Sequence, residues 1–218
     1  SDFDYVQSAL KLGADSYLLK SQSDDAILET VFRTIEKIEK ENAAEHLQQR
    51  ITTEYEYALP VLQKDFISQL LRPVAGLELS DIQDKFNCLR IPLRTDATFM
   101  LIGARIDRVD FGTSTVAETA TKIDSIFLEY IAPKANAFCF FEGHRYLFWL
   151  VQKKSQIYSN DTLYRYISGT LEKIQMCCRQ SDIPVSIVWD PEICSWDRLP
   201  RRYDQLRSIL YFLLSARD

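Results

Sequence analysis

"AFCFFEGHRYLFWLVQ", residues 137–152, anchors the architecture that the rest of the chain builds on. Two apolar runs, Ala137 to Phe141 and Tyr146 to Gln152, flank the polar tetrapeptide "EGHR". That pattern predicts a β-hairpin, with Gly143 at the turn position that needs a backbone conformation other residues avoid. Upstream, Thr98 to Ile106 ("TFMLIGARI") predicts a strand, and Thr119 to Ile131 an amphipathic helix stopped by Pro133. Downstream, Asn160 is expected to cap a helix whose apolar face is Leu163, Ile167, Leu171, Ile174 and Cys178. Pro184 to Trp189 then predicts a strand, and Trp196, Leu199, Leu206, Ile209, Leu210 and Leu213 a final helical region.

From Thr98 onward the order is therefore β, α, β, β, α, β, α. Two βαβ-type halves in this order predict an antiparallel sheet with helices on one face, the ferredoxin-like plan. The fold class is α/β in the broad sense, or α+β. Trp149, Trp189 and Trp196 fall in strands or beside helices and are expected in the core.

The first sixty residues read differently. Tyr5, Val6, Ala9, Leu10 and Leu12 follow a helical period that Gly13 ends, and Tyr17, Leu18 and Leu19 predict a short buried strand. Ser23 is an N-cap candidate, Asp24 and Asp25 suit a helix N-terminus, and Ile27, Leu28, Val31, Ile35 and Ile38 form an apolar stripe. Helical spacing continues through Ala43, Ala44, Leu47, Ile51, Tyr55 and Ala58, giving a helix of about 35 residues. Pro60 is expected to interrupt it. A stripe of that length is covered either by folding back on its own domain or by a parallel second copy meeting it through Leu47, Ile51 and Tyr55. Three segments result: 1–40, a helical linker over 41–76, and a domain over 77–218, with Ser80 to Leu89 a short helix within it.

Composition excludes several classes. Lys plus Arg number 26 against 31 Asp plus Glu, and the net charge of −5 argues against nucleic-acid binding through a general basic field. "RLPRRYDQLR" carries Arg198, Arg201, Arg202 and Arg207, but interleaved Asp197 and Asp204 make it read as a solvated helix face. No apolar run approaches the roughly 20 residues of a membrane span, and no signal peptide pattern is present, so a cytoplasmic protein without a membrane partner is expected. Five cysteines form no CxxC pair and two histidines have no ligand spacing, which predicts reduced structural thiols and no metal.

Two parts resemble known families. "ALKLGADSYLLK", residues 9–20, is similar to the end of a bacterial response-regulator receiver domain, a flavodoxin-like fold. The resemblance implies that Lys20 contacts a phosphoryl group and that Tyr17 reorients with phosphorylation. An ammonium at a buried strand end needs an anionic partner to offset its desolvation, although a solvated lysine at a strand end is the plainer alternative. Ser21 stands where that family usually has proline, and the phosphoacceptor aspartate is not among these residues. The start of the chain inside a helical pattern adds to the expectation of a longer protein.

"LPVLQKDFISQLL" (59–71), "LSDIQDKFNCLRIPL" (79–93) and "IPVSIVWDPEICSWDRLPRRYDQLRSIL" (183–210) resemble the central region of YesN-like response regulators of the AraC family. There a receiver is followed by a long helix, a degenerate GGDEF-like domain and helix-turn-helix motifs. Active GGDEF domains are diguanylate cyclases whose hairpin and first strand carry metal-binding carboxylates. Here the hairpin reads "FEGHRY", with His144 and Arg145 in the acidic positions. On the first strand Asp107 matches one metal-binding aspartate while Arg105 replaces the other.

The resemblance implies no catalysis and no cofactor, a homodimer through the linker helix, a cognate histidine kinase, and DNA contact only through a domain outside this chain. Gly143, His144 and Arg145 form a candidate anion or ligand turn. A small-molecule or nucleotide sensor, using that turn or the sheet's concave face, is the alternative.

Overall fold

The computed structural model describes residues 23–72, 78–107, 115–154 and 159–215, with side chains to Phe212. The helix and strand expected over residues 3–20, with Tyr17 and Lys20, lie outside them. The chain divides into two compact units, Ser1–Ala58 and Leu59–Asp218.

Helix α1 runs from Asp24 to Leu70, with Asp24 and Asp25 in its first turn. Its charged side chains pair along the helix, Arg33 with Glu29 at 3.1 Å and Lys40 with Glu36 at 2.7 Å. Such exposed pairs add a few tenths of a kcal/mol each. The expected break at Pro60 does not occur, because the helix passes through it. A mid-helix proline costs about 3 kcal/mol. Leu59, Phe66, Ile67 and Leu70 are buried on either side of it, and at roughly 1.5–3 kcal/mol per buried apolar side chain they offset that cost.

In the second unit, α2 (Leu79–Cys88) is followed by β1 (Met100–Ile106), α3 (Val116–Ile131), β2 (Ala135–Glu142), β3 (Tyr146–Lys153), α4 (Asn160–Gln180), β4 (Val185–Trp189), a 3-10 turn (Trp196–Arg198) and α5 (Leu199–Ser215). The result is a mixed helix and sheet structure. The strands form one sheet in the order β2-β3-β1-β4, with each neighbouring pair antiparallel. Gly143 at the hairpin turn has φ of 61°, as its position required. The cap of α4 is Ser159, whose hydroxyl accepts from Thr162 N, and not Asn160, which is the first helical residue. A capping box, Thr115 with Glu118, starts α3.

Alternation along the strands sorts the core. Ile102, Ala104, Leu147, Trp149 and Val151 face α3 and α4 through Ile123, Phe127, Ile167 and Ile174. Trp149 stacks on Phe127 with ring centroids 4.3 Å apart. The expectation of helices on one face is corrected by the opposite side of the sheet, where α5 packs. A Cβ placed on Gly103 would stand 2.7 Å from Leu210 Cδ1 and 3.2 Å from Leu206 Cδ2. Tyr203 packs edge-on against Phe148, centroids 4.9 Å apart. Every residue of β1 is buried, as a strand covered on both faces must be.

Next to α5, Trp196 is buried against Phe99 and Phe86, and its Nε1 donates to the carbonyls of Arg94 and Ala97. Buried Gln152 holds the same segment, accepting from Arg94 N at 2.8 Å and donating to the Arg94 and Ala97 carbonyls. Trp149 and Trp196 are thus core residues, while Trp189 is half-buried.

Beneath α3, Trp149 Nε1 donates to Asp124 Oδ1 at 2.8 Å. Burial pushes the Asp124 carboxyl above its ordinary range, and the bonds from Trp149 and Cys139 only partly oppose this. A raised folded value means the native state holds this proton more tightly than the unfolded chain. Stability should therefore fall as pH rises from the ordinary 3.8 through the raised value, and level off above it. Asp124→Asn keeps an acceptor for Trp149 and should lose that decline. Urea unfolding of both proteins across the mildly acidic range tests this, and an unchanged slope in the variant would count against it.

Candidate functional site at the hairpin end of the sheet

Strand register aligns one polar row across the sheet on the α5 side. Glu142 pairs with Tyr146, Tyr146 with Arg105, and Arg105 with Ser186. Asp107 lies two residues beyond Arg105, on the same side of β1. The next row inward, Phe140, Phe148, Gly103 and Val188, is apolar. The polar row therefore marks the end of the core.

Each carboxylate here is engaged. The Arg105 guanidinium, side chain 7% exposed, donates from Nε and Nη2 to Asp107 Oδ1 at 2.9 and 2.6 Å. Ser186 Oγ donates to Asp107 Oδ2 at 2.9 Å. On β2, Glu142 accepts from Tyr203 at 2.5 Å and from Arg207 at 3.0 Å, both on α5. Tyr211 packs at a tilt against Tyr146, ring centroids 4.5 Å apart, and lies under Arg207. Burial, with the Glu142 carboxylate next, pushes the Tyr203 hydroxyl well above the usual phenol range. Burial likewise raises Tyr146, with Tyr211 adding to it.

A divalent cation needs carboxylate oxygens free to turn towards it. At Asp107 and Glu142 those oxygens already bind guanidinium, hydroxyl and phenol groups. A cation here would have to displace two arginines. Among the described residues no group of three or more His, Cys, Asp or Glu side chains is placed to share a metal ion.

The turn itself holds the other expected residues. Gly143 and His144 are exposed and Arg145 is half-buried. The Arg145 carbonyl accepts from Ile106 N at 2.8 Å, tying the turn to the end of β1. Arg105 pairs with Tyr146 beside the turn, and Asp107 follows it. Glu142, Tyr203 and Arg207 were missed as a group, because contact between a hairpin and a helix 61 residues later leaves no local pattern.

The arginine-rich stretch is only partly a solvated face. Arg202 pairs with Asp190 at 3.4 Å and with Glu192, and Arg207 with Glu142, while Arg198 and Arg201 are exposed. An open groove of about 1650 Å³ runs beside the start of α5, past Trp196 and Asp190, away from the hairpin turn.

The linker residues also divide. Leu47 and Ile51 are each 59% exposed, whereas Tyr55 is half-buried. No helix among the described residues is long and apolar enough to cross a membrane. No family model, curated protein or solved structure matches this chain.

Removing one member of the Arg105–Asp107 pair leaves the other charge buried without compensation. Asp107→Ala should cost about 3 kcal/mol of stability. The double variant Arg105→Met, Asp107→Leu should recover most of that loss. Equilibrium urea unfolding of the three proteins reads both values, and equal losses in single and double variants would show that the pair is not what matters.

Proposed function

We propose that this chain is the signal-relay and dimerisation segment of a two-component response regulator that controls transcription. On this reading, phosphorylation by a cognate histidine kinase, on a receiver part not among these residues, changes how two copies meet along α1. The change passes along the helix into the second unit and on to a DNA-binding domain outside this chain. The observation that carries the reading is α1 itself. It is one unbroken helix leading from the first unit into the second, with Leu47 and Ile51 uncovered. A coupling of about 1–3 kcal/mol suffices for such a relay.

The second unit is read as a degenerate GGDEF-like domain on the ferredoxin-like plan. Its element order from β1 to α5 and its strand order β2-β3-β1-β4 support that plan. The arginines held by Asp107 and Glu142 support a domain that transmits force and does not turn over nucleotide. Tyr17 and Lys20 remain the proposed phosphoryl-sensing residues by resemblance alone.

A sensor for a small molecule or nucleotide is the rival. α5 fills one sheet face, so of the two sites expected from the sequence Gly143, His144 and Arg145 remain.

Two measurements separate these readings. The chain should sediment as a dimer, and Leu47→Asp with Ile51→Asp should sediment as a monomer; identical assembly of both proteins defeats the relay reading. GTP and cyclic dinucleotides should leave the melting temperature unchanged. A bound ligand at 100 times its Kd adds roughly 2.7 kcal/mol, so a clear upward shift would favour the sensor, and magnesium-dependent consumption of GTP would defeat both.

A further inference from the structure

α1 carries two apolar stripes within the first unit, not one. Leu28, Val31, Phe32, Ile35 and Ile38 are all exposed, Phe32 by 67%. Ala44, Leu47, Ile51 and Ala58 are exposed as well. At about 100° per residue the two sets are centred roughly 150° apart around the helix. No single straight partner can cover both.

The downstream set follows a heptad count. Ala44, Ile51 and Ala58 fall seven apart at one core position, and Leu47 and Glu54 at the other. Counting on reaches Val61, also exposed. Counting back reaches Lys37 and Lys40. Two copies meeting in register upstream of Ala44 would bring like charges together at successive layers, so the repeat has a physical start. The upstream stripe belongs to a different register.

Resting on the dimer reading above, we propose that a second copy of this chain docks in parallel along Ala44, Leu47, Ile51 and Ala58, with Glu54 as a polar layer, and that the stripe Leu28–Ile38 lies outside this seam. β-Branched Ile51 at the first core position with Leu47 at the second is the combination that favours two parallel strands. A single polar core residue sets register and lowers stability. Each Glu54 brings its own counter-charge, since Arg50 reaches it at 3.8 Å along the helix. Arg50 also flanks the core where, in a parallel pair, it faces the other copy's aromatic at position 55. Tyr55 is therefore a flanking residue of the seam and not a core one. A seam weakened by its own glutamate can be opened by a modest force, as a relay requires.

The test uses the whole chain with Cys88, the exposed native thiol, replaced by serine. Ile51→Cys, Ile35→Cys, and an equimolar mixture of Leu47→Cys with Ala58→Cys are oxidised, and disulfide-linked dimer is followed with time. Ile51→Cys should cross-link roughly tenfold faster than Ile35→Cys, and the mixed Leu47–Ala58 product should be minor. Glu54→Leu, a change on an exposed helical surface, should tighten the sedimentation Kd by roughly tenfold. A dimer that cross-links equally fast at position 35, or mainly between positions 47 and 58, or that Glu54→Leu does not tighten, overturns this seam while leaving dimerisation standing. Monomeric sedimentation of both the parent and Glu54→Leu, without cross-linking, overturns the dimer reading as well.

Discussion

The close approach of α5 to the sheet depends on a missing side chain. Gly103 sits in the middle of β1, and Leu206 and Leu210 fill the space where a Cβ would be. With the helix at that distance, the second face of the sheet becomes core and β1 and β3 lose access to solvent. Tyr203 and Arg207 are carried on the same helix, so the packing of leucines over a glycine also delivers a phenol and a guanidinium to Glu142. Apolar packing and the polar row at the sheet end are thus one arrangement.

That polar row sets the electrostatics of the hairpin end. Carboxylates at the ends of strands are useful to a catalyst when their oxygens are available to a cation or a proton in transit. Here Asp107 is held by Arg105 and Ser186, and Glu142 by Tyr203 and Arg207. An internal guanidinium supplies the positive charge that a cation would bring, and it holds strand and helix together. The largely buried Arg105–Asp107 pair costs desolvation energy to form, which its hydrogen bonds offset.

α1 works by another principle. Its charged residues are satisfied along the helix at four-residue spacing, and its apolar residues are left over on two faces. The helix passes Pro60 because the turns on either side of it are anchored in the second unit's core, by Leu59 before it and by Phe66, Ile67 and Leu70 after it. What lies uncovered upstream is the surface on which the proposed relay depends.

The hairpin, the turn glycine and the apolar faces of α3 and α4 were legible from the residues alone. These follow from periods of two and 3.6 residues and from local turn chemistry, which act between neighbours in the chain. Arg105 and Asp107 were singled out through the family resemblance, and their pairing appears only in the structure. Long-range packing settles that Pro60 is tolerated, that α5 covers the second face, and that Arg202 and Arg207 are tied to Asp190, Glu192 and Glu142. In each case the deciding partner is distant in sequence: Gly103 answers to Leu210, and Glu142 to Tyr203. Contacts of that kind depend on where whole elements come to rest, and no local period records them.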